Sequence, residues 1–132
     1  MVTKAFAIIP MPPDHWGLLC VDFLRREISF GDSMDQGIVR LTEDVKSAIH
    51  RAVLWLRHVG LMDSSWPSDI ARLSVPRQPQ GSGSSGVIAL NTIECSINPS
   101  AEPWIHPRSA YHRIRYLQVA SGYRNVRYTR HS

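Results

Sequence analysis

The feature that most restricts the fold is a pair of short runs near the N-terminus. Residues 16–23 (WGLLCVDF) are largely apolar, residues 27–31 (EISFG) alternate, and only Leu24-Arg25-Arg26 separates them. The first run reads as a buried strand, the second as its partner and the polar spacer as a turn, which together predict an antiparallel hairpin. Residues equally far from a hairpin turn lie opposite each other, with Cβ atoms about 4.5–5.5 Å apart. His15 stands just before the first run and Asp32 just after the second. Their midpoint falls at the turn, so the pair is expected to meet at the open end. A carboxylate there can fix the imidazole tautomer and leave the other ring nitrogen as a base. A surface histidine beside a turn aspartate would give the same spacing, so the pair alone is a weak signal.

The rest of the chain supplies a frame for that hairpin. Residues 4–10 form an apolar run stopped by Pro10, Pro12 and Pro13, and read as a strand leading into a loop. Residues 41–59 carry the clearest helical period, with Leu41, Val45, Ile49, Leu56 and Val59 on one apolar face. Thr42 before Glu43 and Asp44 suits the start of that helix, and Gly60 suits its stop. It reads as core architecture, with Trp55 and His58 as packing or surface residues. Residues 62–69 read as a loop, 70–75 as a short strand ended by Pro76, and 98–107 as a loop around Pro99 and Pro103. A last helix is expected over 109–119, with Ile114 and Leu117 inward. The order β, β-hairpin, α, β, α, α predicts a mixed α+β domain.

Between the short strand and the second helix lies RQPQGSGSSGVIAL, residues 77–90. Its small residues allow a tight turn and close approach of a ligand. From Gly86 onward, Leu90, Ile93 and Ile97 recur at helical spacing on one face with Gly86, which places Ser85 at or near a helix N-terminus. Unpaired N–H groups and the positive dipole end point there, a favourable setting for a nucleophile or an oxyanion. A serine before an apolar helix is equally a common N-cap.

Composition narrows the class. At 132 residues, 43% hydrophobic and 20% charged, the chain fits one ordinary globular domain spanning 1–132. No apolar run approaches the ~20 residues that span a bilayer, and no secretory signal is recognisable, so no membrane partner is expected. Cys20 and Cys95 fall inside apolar segments, which predicts reduced, buried thiols and an intracellular protein, nuclear or cytoplasmic. The net charge of +4 is unevenly spread, since no acidic residue but six arginines follow Glu102. The arginines interleave with tyrosines, and residues 121–132 form a basic tail. That tail reads either as a solvated helix face with a frayed end or as a contact for nucleic acid or an acidic partner. GSGSSG lacks the Lys-Ser/Thr of a phosphate-binding loop, and neither Ser84 nor Ser85 has Gly at both −2 and +2 as a nucleophile elbow needs. No paired metal-ligand spacing is present, and no cofactor is expected.

Five separated elements then agree in order and spacing: His15-Trp16, the hairpin, Asp32-Ser33, Gln78, and Ser85-Gly86 opening a helix. This pattern resembles the ubiquitin-like-protein (SUMO) protease family of cysteine peptidases. The resemblance covers roughly residues 4–120. It implies a papain-like cysteine-protease core, a small mixed or antiparallel sheet packed with about three helices. It also implies hydrolysis of peptide or isopeptide bonds at the Gly-Gly C-termini of ubiquitin-like modifiers, and such a modifier or its conjugates as partner. His15 would be the general base and Asp32 its orienter. Gln78 would donate its amide to the oxyanion beside the Ser85 backbone N–H, with Gln80 as a rival because the loop is about one residue long. Trp16 and Gly86 would wall the channel for the substrate tail. Ser85 occupies the place of the nucleophilic cysteine. A thiol there can pre-ionise, whereas a hydroxyl needs concerted proton removal, so weak or absent turnover is expected. The family usually has further residues ahead of the first strand, so the resemblance leads one to expect either a fragment or a reduced version of the domain, with weaker substrate recognition.

Overall fold

The computed structural model describes residues 2–34 and 41–129; the side chains of 121–132, and with them the basic-tail reading, lie outside the described residues. In chain order the elements are β1 (Lys4–Met11), β2 (His15–Asp22), β3 (Glu27–Gly31), α1 (Glu43–His58), β4 (Ala71–Arg72), α2 (Ser85–Ile97), a 3₁₀ turn (His106–Arg108) and α3 (Ser109–Thr129). The sheet order is β1-β2-β3-β4, antiparallel across the first two pairings and parallel between β3 and β4. The fold is α+β, as the element order predicts.

Strand β2 is central among the first three strands, and this accounts for its apolar run. Leu19 and Val21 face one side, opposite Phe30 and Ile28. They meet Val45, Ile49 and Leu56 of α1 in the main core. Trp16, Leu18 and Cys20 alternate onto the other side, where α2 packs. A side chain is excluded at Gly17, because a Cβ there would stand 2.3 Å from Phe30 Cζ. Helix α1 starts where the sequence places it, with Thr42 Oγ1 accepting from the Val45 N–H. Val59, read as inward, is exposed, and Trp55 lies on the surface.

Several expectations need correction. The β2–β3 hairpin pairs Asp22 with Glu27 and Leu18 with Gly31, which moves its centre by one residue and sets His15 across from position 34 rather than Asp32. The shift comes from a longer turn: Asp22 Oδ1 accepts from the N–H groups of Leu24 and Arg25, and Arg26 closes the turn at φ 53°. Residues 4–11 do not simply lead into a loop; β1 folds back on β2 with Met11 opposite His15. The strand expected over 70–75 shrinks to Ala71–Arg72. Helix α3 continues past Val119 to Thr129. Its Ile114 and Leu117 point to solvent, because His112 and Tyr116 take the inward face against α2. Cys20 is buried, but Cys95 is only half-buried. Of the face expected on α2, Leu90 and Ile97 are exposed; Val87, Ile88 and Asn91 carry the burial, since α2 is wedged between the sheet and α3. No helix of the described residues is long and apolar enough to cross a membrane.

Candidate active site

His15 opens β2 and Asp32 follows β3, and the His15 Nε2–Asp32 Oδ1 contact joins them despite the shifted register. The pairing ladder ends at Gly31, so the chain turns at Asp32 and brings its carboxylate diagonally to His15. The turn is local: Asp32 Oδ1 also accepts from the Met34 N–H at 2.9 Å. With Nε2 engaged by the carboxylate, Nδ1 is the ring nitrogen left to act on a substrate or nucleophile.

Ser85 is the first residue of α2 and is 3% exposed, a depth at which an alcohol needs a partner. Its Oγ accepts from the backbone N–H of Trp16 at 3.0 Å. The hydroxyl therefore touches the peptide that links His15 to Trp16. The cap position belongs to Ser84, whose side chain makes no capping bond and turns instead to Ser109 Oγ at 3.2 Å. The first intrahelical bond runs from the Ile88 N–H to the Ser84 carbonyl. The N–H groups of the first turn, Ser85 included, are thus not taken up by a cap side chain and carry the positive end of the helix dipole.

Gln78 and Gln80 differ sharply. Gln80 is exposed, whereas Gln78 is buried and held at two points by Ser33. The Gln78 N–H donates to the Ser33 carbonyl at 2.9 Å, and Ser33 Oγ donates to Gln78 Oε1 at 2.6 Å. With its oxygen occupied, the Gln78 side chain presents its amide N–H₂. Ser33 follows Asp32 directly, so this clamp ties the amide to the His–Asp pair. The sequence contains Ser33 beside Asp32, but nothing in one sequence marks it as the anchor of a glutamine 45 residues away.

Trp16 is 44% exposed and lies over the start of α2, its Cδ1 3.6 Å from where a Gly86 Cβ would be. Together with Asp14, Ser85, Leu90, Arg113 and Tyr116 it borders an open cavity of about 280 Å³. Behind the cavity α2 is locked to the segment that follows it and to α3. Asn91 Nδ2 donates to the Glu102 carbonyl at 2.9 Å, and Asn91 Oδ1 accepts from the Trp104 N–H at 2.8 Å. Arg115 forms a two-point pair with Glu94, and the Tyr116 hydroxyl donates to Glu94 Oε1 at 3.0 Å. The Arg115 guanidinium holds the Glu94 carboxyl below its usual range, and burial pushes the Tyr116 phenol up. Arg113, Arg115 and Tyr116 were legible only as members of a basic, tyrosine-rich segment; their contacts to α2 depend on how α3 docks.

The N-terminus of α2 thus meets β2, with His15 at the start of that strand and Asp32 just past the end of β3. Solved structures share the fold. The SUMO protease Ulp1 with its catalytic cysteine oxidised to a sulfenic acid matches with a TM-score of 0.64 at 18% identity, over 85% of this chain and 49% of that one. The sulfonic acid form matches at 0.62 and 19%, over 85% and 50%. The C-terminal Ulp1 protease domain in complex with Smt3, the yeast ortholog of SUMO, matches at 0.54 and 20%, over 85% and 49%. The chain spans about half the length of these structures and shares the fold of the part it matches. No protein-family model matches the chain, and neither does a curated protein.

Proposed function

We propose that this chain carries a peptidase site for the C-terminal tails of ubiquitin-like proteins, working with a serine at the nucleophile position and therefore slowly. One observation carries the reading: the Ser85 hydroxyl, at the start of α2, touches the peptide that follows His15, while His15 is held by Asp32. In the first step His15 Nδ1 takes the Ser85 Oγ proton as Oγ attacks the carbonyl carbon of the terminal glycine. The Gln78 amide and the Ser85 N–H receive the oxyanion. The tetrahedral centre collapses to an ester as the leaving amine takes the proton from His15. A water then attacks the ester, with His15 again accepting and returning one proton, and frees the carboxylate.

The weak point is the oxygen. It cannot pre-ionise as a thiol does, and its hydrogen bond to the Trp16 N–H has to be exchanged for one to the imidazole. Ser85→Cys is therefore expected to form a covalent adduct with ubiquitin-like probes carrying electrophilic C-termini, whereas the Ser85 chain forms none on the same timescale. Intact mass spectrometry reads the result. Absence of adduct from the cysteine variant across a panel of such probes defeats the reading.

The same hydrogen bond favours a second reading, in which the groove binds a ubiquitin-like tail without cleaving it. That reading expects capture by the unsubstituted chain, weakened at least tenfold by Trp16→Ala in titration calorimetry. Unchanged affinity in the variant removes it.

A further inference from the structure

The loop before Ser85 has an unusual support. Gly81 and Gly83 take left-handed conformations, φ 75° and 64°, so the segment bends in a way only glycine adopts without strain. It is fastened from α3: Arg113 Nη2 donates to the Ser82 carbonyl at 3.1 Å, the Gly83 carbonyl at 2.9 Å and Ser84 Oγ at 3.1 Å. Peptide units are planar, so holding those two carbonyls also fixes the N–H groups of Gly83 and Ser84 on the opposite side. The angle at which the chain enters α2 follows from that. Among the described residues no carboxylate pairs with Arg113, and its guanidinium borders the same cavity as Ser85 and Trp16.

Resting on the peptidase reading above, we infer that Arg113 is a positioning residue for position 85: it sets the loop that aims the nucleophile and the Ser85 N–H, and places a positive charge beside them. Other charged or titratable groups also face this point. Asp14 and the His15–Asp32 pair stand on the strand side, Tyr116 stands beside Arg113 on α3, and the first turn of α2 carries no acidic side chain. A cation near a thiol favours the thiolate, and displacement of a reacting atom by about 1 Å can cost ~10²-fold in rate.

The test uses the full chain with Ser85→Cys and two readouts. One is the rate of adduct formation with an electrophilic ubiquitin-like probe. The other is the pH midpoint of iodoacetamide alkylation at position 85, followed by peptide mass mapping, which needs no substrate recognition. Arg113→Ala is expected to slow the adduct by roughly 10- to 100-fold and raise the alkylation midpoint by about half a unit or more. Arg113→Lys is expected to recover part of both losses, because an ammonium can serve three acceptors gathered at one point. Arg115→Ala, which breaks the Glu94 pair on the same helix, is expected to leave the midpoint where it was. An unmoved midpoint in Arg113→Ala overturns the inference, and so does an equal rise in Arg115→Ala, which would reduce Arg113 to general helix docking. If the cysteine variant forms no adduct but the midpoint moves as stated, the peptidase reading falls and the positioning role stands.

Discussion

A hydroxyl and a thiol at the same helix start differ less in shape than in acidity, and the surroundings of Ser85 are those from which a thiol would gain most. The uncapped first turn and the Arg113 guanidinium favour an anion there, which an alcohol does not supply at neutral pH. Two other residues matter through packing. Asn91 is 2% exposed on α2 and satisfies the Trp104 N–H and the Glu102 carbonyl. Asn91→Ala strands both groups and is expected to lower unfolding free energy by about 2–3 kcal/mol in urea titration. A loss within experimental error would mean that water replaces the amide. Gly17→Ala drives a methyl into the Phe30 ring, 2.3 Å from Cζ, and is expected to cost about 1–3 kcal/mol. Phe30→Leu in the same chain should return part of that loss.

The strands and helices were legible because each follows a local period. The β2 run, the alternating β3 and the capped α1 needed only neighbours in sequence to be read. What escaped depends on partners far away. The hairpin register slipped by one because Asp22 and Arg26 build a wider turn than the polar spacer suggests. The His15–Asp32 contact was anticipated for a reason that the register does not support; it forms across the end of the ladder. Helix α3 was turned the wrong way, since its apolar period over Ile114 and Leu117 loses to the bonds that Arg113, Arg115 and Tyr116 make with α2 and its loop. The Arg115–Glu94 bonds, with the Arg108–Glu102 pair just ahead of α3, give its docking a pH dependence. Glu94 is held below its usual range chiefly by Arg115, and Glu102 by Arg108. Depressed carboxylates contribute stability that is present above the unfolded value of about 4.3 and lost as pH falls through the lower folded values. The helical signal of α3 is therefore expected to melt earlier near pH 3 than near pH 7 by circular dichroism, about pH 4 being the onset. Glu94→Gln should narrow that gap, and an unchanged gap would place the pH effect elsewhere.

Over the whole molecule, burial among the described residues is divided between two clusters of unequal size. The sheet and α1 share the larger one, from Ile9 to Met62, whereas Val87, Ile88 and Trp104 form a smaller one beneath α3. Among the described residues, helix α3 packs chiefly on α2 and the 3₁₀ turn. Segments with few buried apolar contacts open at lower free energy than those in the central core. The two cysteines differ in depth. Cys20 lies on β2 at 4% exposure, where burial pushes its thiol up, and Cys95 lies half-buried on α2 beside the α3 contacts. Disulfide-exchange labelling of the native chain is therefore expected to modify Cys95 through local opening, with a rate that rises weakly with urea. Cys20 should wait for global unfolding, its rate rising with the full denaturant dependence of the equilibrium transition. Loosening α3 with Arg115→Ala should speed Cys95 and leave Cys20 unchanged. Equal labelling rates at the two thiols in native buffer would show instead that sheet and helices open as one unit, and the site at their junction would then share the stability of the core rather than that of α3.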